Sequence, residues 1–514
     1  MNSIPSVKTA GDLLTQYTQG ERDFSGIVLN ECTLSGAKLP HIILQQASLK
    51  VANLSTANLS HSNLRGATLN VSRLSGANLS QAQLQRAQLN VANLIRAVLV
   101  GANLSEASLI RAELLRADLS NATLSRANLQ EADLREARLR WARLDRANLS
   151  QCNLRNGSLF GATLAGAQLH SAILENANLS GVILSQAELR HANLRSANLS
   201  SANLRGANLR WADLSGANLQ DADLTDAKLS GANLTGASLV GATLEDTTLV
   251  HTDLSRTNLQ QVYCVGSDLS GATLTGALMF KAICYDVQTK DTVCEWVDLS
   301  PHGDQSQIRR FSNTNAVQAY LNRRPPQVRL VIDMGLTPTA HASLANVYEQ
   351  IGQVVATFNR PPNVEITHRR TILTFMTQAE AELSAIACLA AWPFTDGLTI
   401  RTILSDLIEQ GLERPHRSIM QDASHERLYA AITALDSQNL QPLKQNLEHH
   451  AFFASPIQVK LCNISGQMLE LYHNARFGVR NLPSAEDGIF TAQPSQAISP
   501  DIEQYLAFLS PLEA

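Results

Sequence analysis

Apolar side chains recur at every fifth position over about half of the chain. The pattern begins at Phe24, continues with Leu29 and Leu34, and keeps its frame as far as Leu274 and Met279. A small residue, most often Ala, stands two positions before each of these side chains, with polar residues around the pair. Residues five apart would circle an α-helix, and on a flat strand they would alternate between its two faces. The pattern therefore excludes both a single helix and a flat sheet.

One geometry accommodates this period. If Ala and Leu point inward and the chain turns by about 90° in each repeat, four repeats close a coil of about 20 residues, and successive coils stack through backbone hydrogen bonds. Charged residues support this map, because Arg86, Glu106 and Arg126 form one alternating column. The other oppositely charged pairs at this spacing are Arg111 with Glu131, Arg116 with Glu136 and Asp118 with Arg138.

The stretch "ANLSSANLRGANL" resembles the pentapeptide-repeat family, and the resemblance covers residues 24 to about 299. Leu209 and Leu214 match the central inward position of that family, and Ala207 and Ala212 match the small residue two positions earlier. The resemblance implies a mainly β fold, a right-handed quadrilateral β-helix. Its interior would be a dry stack of Leu and Ala without a pocket for catalysis.

Both ends of a stacked coil need covering, because they expose sheet edges and apolar core. Leu13, Leu14 and Tyr17 are spaced as on a helix, and Gly20 follows them, so we predict a short capping helix within residues 1–23. At the other end we expect three large side chains to cover the last coil: Phe280, Tyr285 and Trp296.

The seven cysteines are scattered and include no C-x-x-C pair, which is typical of reduced thiols in a cytoplasm. Cys264 and Cys284 both point inward and lie 20 residues apart, so a disulfide is geometrically conceivable. We expect two buried thiols there instead, acting as small hydrophobic side chains.

A second domain follows the repeats. We predict a polar linker at residues 300–310 and an α+β domain of unrecognised family at 311–514. Val328–Met334 is the predicted first strand, and Thr337 and Pro338 are the expected N-cap and first residue of the helix after it. Further helices are expected in "GLTIRTILSDLIEQGL", "HERLYAAITALDS" and "LQPLKQNLEHH", with a late hairpin around "ISGQ".

Motifs for chemistry are sparse in this second domain. Asp333, Gly335 and Thr337 form a D-x-G-x-T string that resembles the first phosphate loop of actin-like ATPases, but a polar turn between strand and helix is the interpretation we favour. Cys388 lies in an apolar helix and is expected in the core. We assign no catalytic, cofactor-binding or metal-binding residue. The chain is predicted not to be an enzyme, with the second domain left open.

Large outward aromatic residues mark the candidate interaction surface. Trp141 and Trp211 stand two positions after a central Leu, where Ser, Gly or Arg is usual, and the 20-residue map places them on opposite sides of the rod. Trp with Arg is typical of interface hot spots, but it also suits packing within the protein itself. The candidate surface residues are Trp141, Arg140 and Phe160 in one cluster, and Trp211, Arg210, Arg190 and His191 in the other.

The net charge of the chain limits which partners are expected. The 514 residues carry a formal charge of −4, which favours neither nucleic acid nor a membrane surface as a partner. Residues 86–155 hold eleven Arg against seven acidic residues, a mildly basic band. We predict a non-enzymatic protein–protein interaction scaffold with unidentified protein partners, no cofactor, no nucleic acid partner and no membrane insertion. The resemblance to the pentapeptide-repeat family implies a bacterial cytoplasmic protein.

Two alternatives remain. Some pentapeptide-repeat proteins mimic DNA and bind gyrase, which requires a negative surface, whereas residues 24–299 carry 23 Lys and Arg against 22 Asp and Glu. That balance disfavours DNA mimicry. The other alternative is a ligand-binding or enzymatic second domain that the rod brings to its target.

Overall fold

The computed structural model divides the chain into two compact units, Met1–Asn322 and Arg323–Ala514. No helix among the described residues is both long and apolar enough to span a bilayer. The residues that the structure describes are 7–322, 325–355, 358, 361–367, 369–377, 379–412, 419–436, 440, 443–444, 447, 450–464, 466–477 and 499–509.

The first unit is a β-helix built from the five-residue repeats. Parallel bridges join residues 20 positions apart without a break, from Asp23 with Ile43 to Thr273 with Val293. The central Leu and the small residue before it are buried along nearly the whole array. The predicted stacking of residues 20 apart is therefore confirmed, and Leu and Ala fill the interior as expected.

Backbone hydrogen bonds within one repeat, residues 52–56, explain why Asn so often precedes the central Leu. Four of the five amides bond to backbone carbonyls, in the neighbouring coils or within the turn. The amide of Ser55 instead donates to Oδ1 of Asn53 at 3.1 Å. The Asn side chain thus completes the hydrogen bonding of the turn, since a polar backbone group without a partner is costly. Sequence reasoning placed Ala and Leu inward and gave Asn no such role.

Each repeat turns at the residue two positions after its central Leu, which we call the corner position. This residue has a left-handed backbone whether or not it is glycine, with φ of 71° at Gly26 and 57° at Glu31. The left-handed region costs an L-residue with a side chain about 1–2 kcal/mol. Small or polar residues therefore suit corner positions, and a bulky corner residue needs an explanation of its own.

Helix α1, Ala10–Thr18, precedes the first coil. Thr9 and Asp12 form a capping box at its start, in which each side chain accepts a hydrogen bond from the other residue's amide. Leu13 is fully buried in the core of the β-helix, and the Tyr17 hydroxyl donates to the Pro40 carbonyl at 2.6 Å.

The C-terminal end of the first unit carries three short strands and a helix. Strands β1 and β2 pair in parallel, and β2 and β3 pair antiparallel. These elements are β1 (Ala277–Leu278), β2 (Trp296–Asp298), β3 (Ile308–Arg310) and α2 (Thr314–Leu321).

Helix α2 supplies the large apolar side chains that join the β-helix core at this end. Val317 and Leu321 are buried there, and the Asn322 side-chain amide bonds to both backbone groups of Val287, at 2.8 and 3.1 Å. The prediction that Phe280, Tyr285 and Trp296 cover the last coil is met only in part, because Tyr285 is buried, whereas Phe280 and Trp296 are partly exposed and none of the three joins the apolar cluster of Val317 and Leu321. The boundary between the two compact units follows Asn322, later in the chain than the predicted linker at residues 300–310. The first unit extends further because β3 pairs with β2 and α2 packs on the repeats.

Cys264 and Cys284 are joined by a disulfide between adjacent coils, with their Cα atoms 4.8 Å apart. The expectation of two separate thiols was wrong, because coil stacking brings two inward side chains of one column to bridging distance. The free cysteines among the described residues are Cys32, Cys152, Cys294, Cys388 and Cys462.

The second unit is built around a five-stranded sheet in which all neighbouring strands are antiparallel. The strand order is β5-β6-β4-β7-β8. Alternate residues of β4 are buried, as expected for a sheet covered on one face. The strands are β4 (Gln327–Ile332), β5 (Asn363–Ile366), β6 (Thr371–Met376), β7 (Ile457–Cys462) and β8 (Met468–His473).

Helices accompany this sheet, so the second unit combines helices and strands as predicted. Helix α4 is buried along its whole length and contacts β4, β7, α5 and α6. The helices are α3 (Pro338–Val354), α4 (Leu383–Ala391) after a 3₁₀ turn (Glu380–Glu382), α5 (Gly397–Leu412), α6 (Ile419–Leu435) and α7 (Ile502–Leu509).

Three local predictions in the second unit are confirmed: a first strand, the N-cap of the helix after it, and a late hairpin. The predicted first strand is β4, and the Thr337 hydroxyl accepts from the Ala340 amide at 3.2 Å as the N-cap of α3. The late hairpin is β7–β8, with Gly466 in its turn at φ 81°. The helix predicted in "LQPLKQNLEHH" lies largely outside the described residues.

Candidate interaction surface

Both candidate tryptophans occupy corner positions. Trp141 and Trp211 have φ of 59° and 55°, and they are 55% and 56% exposed. Each ring lies against a glycine one coil further on, so that a Cβ added at Gly161 or Gly231 would overlap the indole. The adjacent glycine thus leaves room for the ring to lie along the rod. The structure supports the packing interpretation in this respect, and still leaves about half of each tryptophan exposed to solvent.

The Trp141 cluster is aromatic and basic. Phe160 meets the indole edge to face, with ring centroids 5.0 Å apart and an interplanar angle of 84°. The guanidinium carbon of Arg140 lies 5.7 Å from the centroid of Phe160, within cation–π range. All three predicted residues of this cluster are therefore adjacent.

Arginines beyond those predicted border the Trp141 cluster. Arg138 and Arg143 reach carboxylates only at 3.8 and 3.9 Å. Arg126 and Arg146, which follow one another in a neighbouring corner column, form no ion pair within the described part of the chain. Arg126 interacts electrostatically with Glu106 at longer range, so the chain neutralises the positive charge on this side of the rod only in part.

The side chains around Trp211 make more ring and ion-pair contacts with neighbouring residues of the chain than those around Trp141 do. The His191 ring stacks on the indole at 5.1 Å with an interplanar angle of 9°, and His170 meets His191 edge to face at 5.8 Å. Arg190 lies 3.4 Å from Glu188 in an ion pair, and Arg210 makes no ion pair or cation–π contact within the described residues. The structure thus brings His191 to Trp211, but it directs Arg190 to a carboxylate.

Ion-pair columns cover other parts of the same surface. Three predicted pairs have N–O distances below 3 Å, and the Asp118–Arg138 pair is at 3.8 Å. The three close pairs are Arg86–Glu106 at 2.8 Å, Arg111–Glu131 at 2.6 Å and Arg116–Glu136 at 2.6 Å. Hydrogen bonds from Arg86 and Arg116 lower the pKa of the Glu106 and Glu136 carboxyls.

The residues singled out in the second unit for chemistry have structural partners. Asp333 lies 3.3 Å from the Arg370 Nε, and Thr337 caps α3, so the D-x-G-x-T string is the turn between β4 and that helix. Cys388 is buried as expected, and burial raises the pKa of its thiol to about 12. Within the described residues, no group of His, Cys, Asp and Glu is placed to hold a metal ion.

Sequence reasoning missed a groove in the second unit. It has a volume of about 520 Å³ and runs between α3 and the segment that leads into β5. Tyr348, Phe358 and Val364 contribute apolar walls, with His341 and Glu349 as polar groups in the lining. The adjacent Pro361 and Pro362 were the one feature of the sequence that marked this segment, but the sequence does not show that they lie against α3.

The repeats match a known family over most of the first unit. A family model described as pentapeptide repeats matches eight copies, and a comparison with curated proteins finds no match. The matched ranges are 27–70, 52–90, 87–126, 122–159, 162–201, 172–210, 202–239 and 237–276.

Several solved structures are similar to this chain in sequence. HetL, a pentapeptide repeat protein involved in heterocyst differentiation regulation from the cyanobacterium Nostoc sp. strain PCC 7120, is 37% identical over 46% of this chain and 96% of HetL, with a TM-score of 0.22. Another pentapeptide repeat protein from Nostoc PCC 7120 is 36% identical over 24% of this chain and 80% of its own, with a TM-score of 0.13. One from the Arabidopsis thaliana thylakoid lumen is 32% identical over 20% and 68%, with a TM-score of 0.15.

The identity to HetL extends over nearly the whole of that protein, and the family model matches repeats within residues 27–276 of the first unit. The family's fold is a right-handed β-helix, and the described coils agree with it. On this evidence, the chain belongs to the pentapeptide-repeat family.

Proposed function

We propose that this chain is a non-enzymatic protein–protein interaction scaffold. In this proposal the first unit is a rigid, four-sided rod, closed by α1 at its N-terminal end, and it presents side chains at its corners to protein partners. The second unit is a further binding or regulatory module. Because Leu and Ala fill the interior of the rod, recognition has to use the outer surface.

The observation that carries the proposal is the exposed Trp141 at a left-handed corner. The left-handed backbone at this residue costs about 1–2 kcal/mol. Because the side chain of Trp141 stays about half exposed, burial of its ring within the chain offsets only part of that cost. Phe160 and Arg140 complete an aromatic and cationic patch of the kind found at interface hot spots. Arg126 and Arg146 nearby, which form no close ion pair within the described residues, favour a partner that combines an apolar anchor with acidic residues.

The Trp211 cluster is the second proposed surface, with His191, Arg190 and Arg210. Its indole is stacked on His191 and its best-placed arginine is already paired, so we assign it the smaller share of binding. Mimicry of DNA is not favoured, because the rod carries nearly equal numbers of basic and acidic residues. HetL is involved in regulation, which supports a regulatory role for this scaffold by similarity.

The test is affinity capture with the full chain and with single Trp141→Ser and Trp211→Ser variants, followed by quantitative mass spectrometry. His251→Ser is the matched control, because this ring also occupies a left-handed corner and lies against a glycine. A partner should be lost with Trp141→Ser, reduced with Trp211→Ser and retained with His251→Ser. Its capture should weaken with salt, since arginines contribute. Capture that is the same for all four proteins would rule out the tryptophan surfaces.

The groove beside α3 favours a second candidate function, binding of a small apolar ligand by the second unit. Its volume of about 520 Å³ falls within the usual range for ligand pockets, and its lining is mainly apolar. A thermal-shift screen of the full chain against small molecules, with Tyr348→Ala as the comparison, tests this. A stabilising compound whose effect disappears in the variant would support it.

We also propose a bacterial cytoplasm as the location. Cytosolic thiols usually keep cysteines reduced, but Cys264 and Cys284 are both buried within the coil, which would protect their disulfide from exchange. Trapping of free thiols in intact cells, before lysis, would show whether the bond exists in that compartment.

A further inference from the structure

One corner column combines an unfavourable backbone with exposed apolar surface. Val51, Val71 and Val91 lie above one another in three successive coils, with φ of 58°, 60° and 58°. They are 51%, 51% and 53% exposed. Valine occurs at no other position among the described non-glycine residues with positive φ. A β-branched residue in this region is an outlier, and these three gain little burial within the chain.

Opposite charges continue this column at its two ends. Glu31 lies one coil before Val51, and Arg111 lies one coil after Val91, both at the same corner. Arg111 also bonds to Glu131 within the chain, at 2.6 Å. The column therefore runs Glu, Val, Val, Val, Arg. Reversed and laid against itself, it places each valine on a valine and each charge on its opposite.

Such self-complementarity is the defining property of an interface with two-fold symmetry. We propose that the Glu31–Arg111 column is a self-association surface on which two copies pack antiparallel. Val71 lies on the two-fold axis and meets its own counterpart, and Val51 meets Val91 of the second copy. Glu31 pairs with Arg111 of the second copy at both ends, so that two ion pairs about 19 Å apart flank the three valines, given a coil spacing of about 4.8 Å.

The contact is confined to the corner. Arg73 is exposed on the adjoining face at the level of Val71, and a broader contact would bring it against its own counterpart. The buried area is therefore below the roughly 1,000 Å² of a stable complex, and the dimer is weak and reversible. Its population should rise steeply with protein concentration.

The first test is sedimentation velocity of the full chain over a wide range of protein concentration. The wild-type chain should shift from monomer to dimer, and Val71→Arg should remain a monomer, because it places two arginines on the axis. Thr56→Arg is the matched control, since Thr56 is an exposed β-branched residue at another left-handed corner, with φ of 57°. Circular dichroism checks that each variant keeps its fold. A wild-type chain that stays monomeric throughout, or a Val71→Arg variant that dimerises normally, overturns the proposal.

Charge exchange tests the antiparallel register. Glu31→Arg alone should weaken the dimer at least tenfold, because it sets the new arginine against Arg111 of the second copy at both ends. Arg111→Glu combined with Glu131→Arg keeps the ion pair within the chain and should weaken the dimer similarly. Combining all three changes should restore wild-type dimerisation. If the combined variant associates no more strongly than the separate ones, the register is wrong.

Discussion

At the residue scale, the repeat depends on two requirements that hydrophobicity does not show. The corner residue must accept a left-handed backbone, and the amide after the central Leu needs an acceptor that the coil backbone does not provide. Asn103 illustrates the second requirement, because its Oδ1 accepts from the Ser105 amide at 3.0 Å and from the Ser105 hydroxyl at 2.7 Å. Asn is therefore frequent in the array for a backbone reason.

Replacing Asn103 by Ala should lower the free energy of unfolding by about 0.5–1.5 kcal/mol for the lost amide bond, with a smaller addition from the hydroxyl. The matched control is Thr123→Ala, one coil further in the same column. Denaturant unfolding followed by circular dichroism measures both. Equal effects of the two substitutions would contradict an acceptor role for Asn103.

At the element scale, stacked coils convert the 20-residue spacing into columns of ion pairs. Glu106 and Glu136 are more readily ionised in the folded chain, chiefly because Arg86 and Arg116 donate hydrogen bonds to them. A carboxyl with a lowered folded pKa stabilises the fold above its ordinary pKa, and this contribution is lost as the pH falls through the folded value. The ion-pair columns should therefore stabilise the middle coils at neutral pH and lose this effect at acid pH.

The Glu106→Gln, Glu136→Gln double variant should have a slightly lower Tm than the wild type at pH 7. The difference should shrink as the pH falls below the ordinary glutamate pKa of about 4.3, where the wild-type carboxyls also become protonated. Calorimetry at low ionic strength measures this, at a protein concentration low enough for the chain to be monomeric, with Glu31→Gln as a control that removes a carboxyl without an ion pair within the described part of one chain. A Tm difference that stays constant from pH 7 to about pH 2 would contradict it.

At the scale of the whole molecule, the C-terminal end of the rod is secured in two ways. Helix α2 buries Val317 and Leu321 in the repeat core, and the Cys264–Cys284 disulfide links two of the last coils. A cross-link closing a loop of about 20 residues contributes on the order of 3 kcal/mol in the chain-entropy model. The disulfide therefore resists opening of the coils that α2 covers.

Dithiothreitol should lower the Tm of the wild-type chain and leave that of a Cys264→Ala, Cys284→Ala variant unchanged, because the variant has no bond to reduce. Cys152→Ala, which removes a free buried thiol, should respond to the reductant as the wild type does. Alkylation after denaturation without reductant, followed by intact mass measurement, counts the free thiols. Modification of all seven cysteines would exclude the disulfide.

The amino-acid sequence was sufficient for the features that follow from local periodicity. A five-residue period with Leu and Ala inward admits one compact coil, so the 20-residue stacking, the ion-pair columns and the contact of Arg140 with Phe160 could all be read from spacing alone. The helix start at Thr337 was predictable for the same reason, because an N-cap acts within one turn.

Folding alone decided which distant surfaces meet. The pattern of α2 indicates that one face is buried, but nothing in it says that Leu321 packs on the last coils rather than on the sheet of the second unit. The groove beside α3 and the choice of Arg190 for Glu188 depend in the same way on side-chain positions that no period encodes. Local repeats are determined by bonds that recur every few residues, whereas end caps, grooves and exposed columns depend on which apolar and charged surfaces remain available once the coils have stacked.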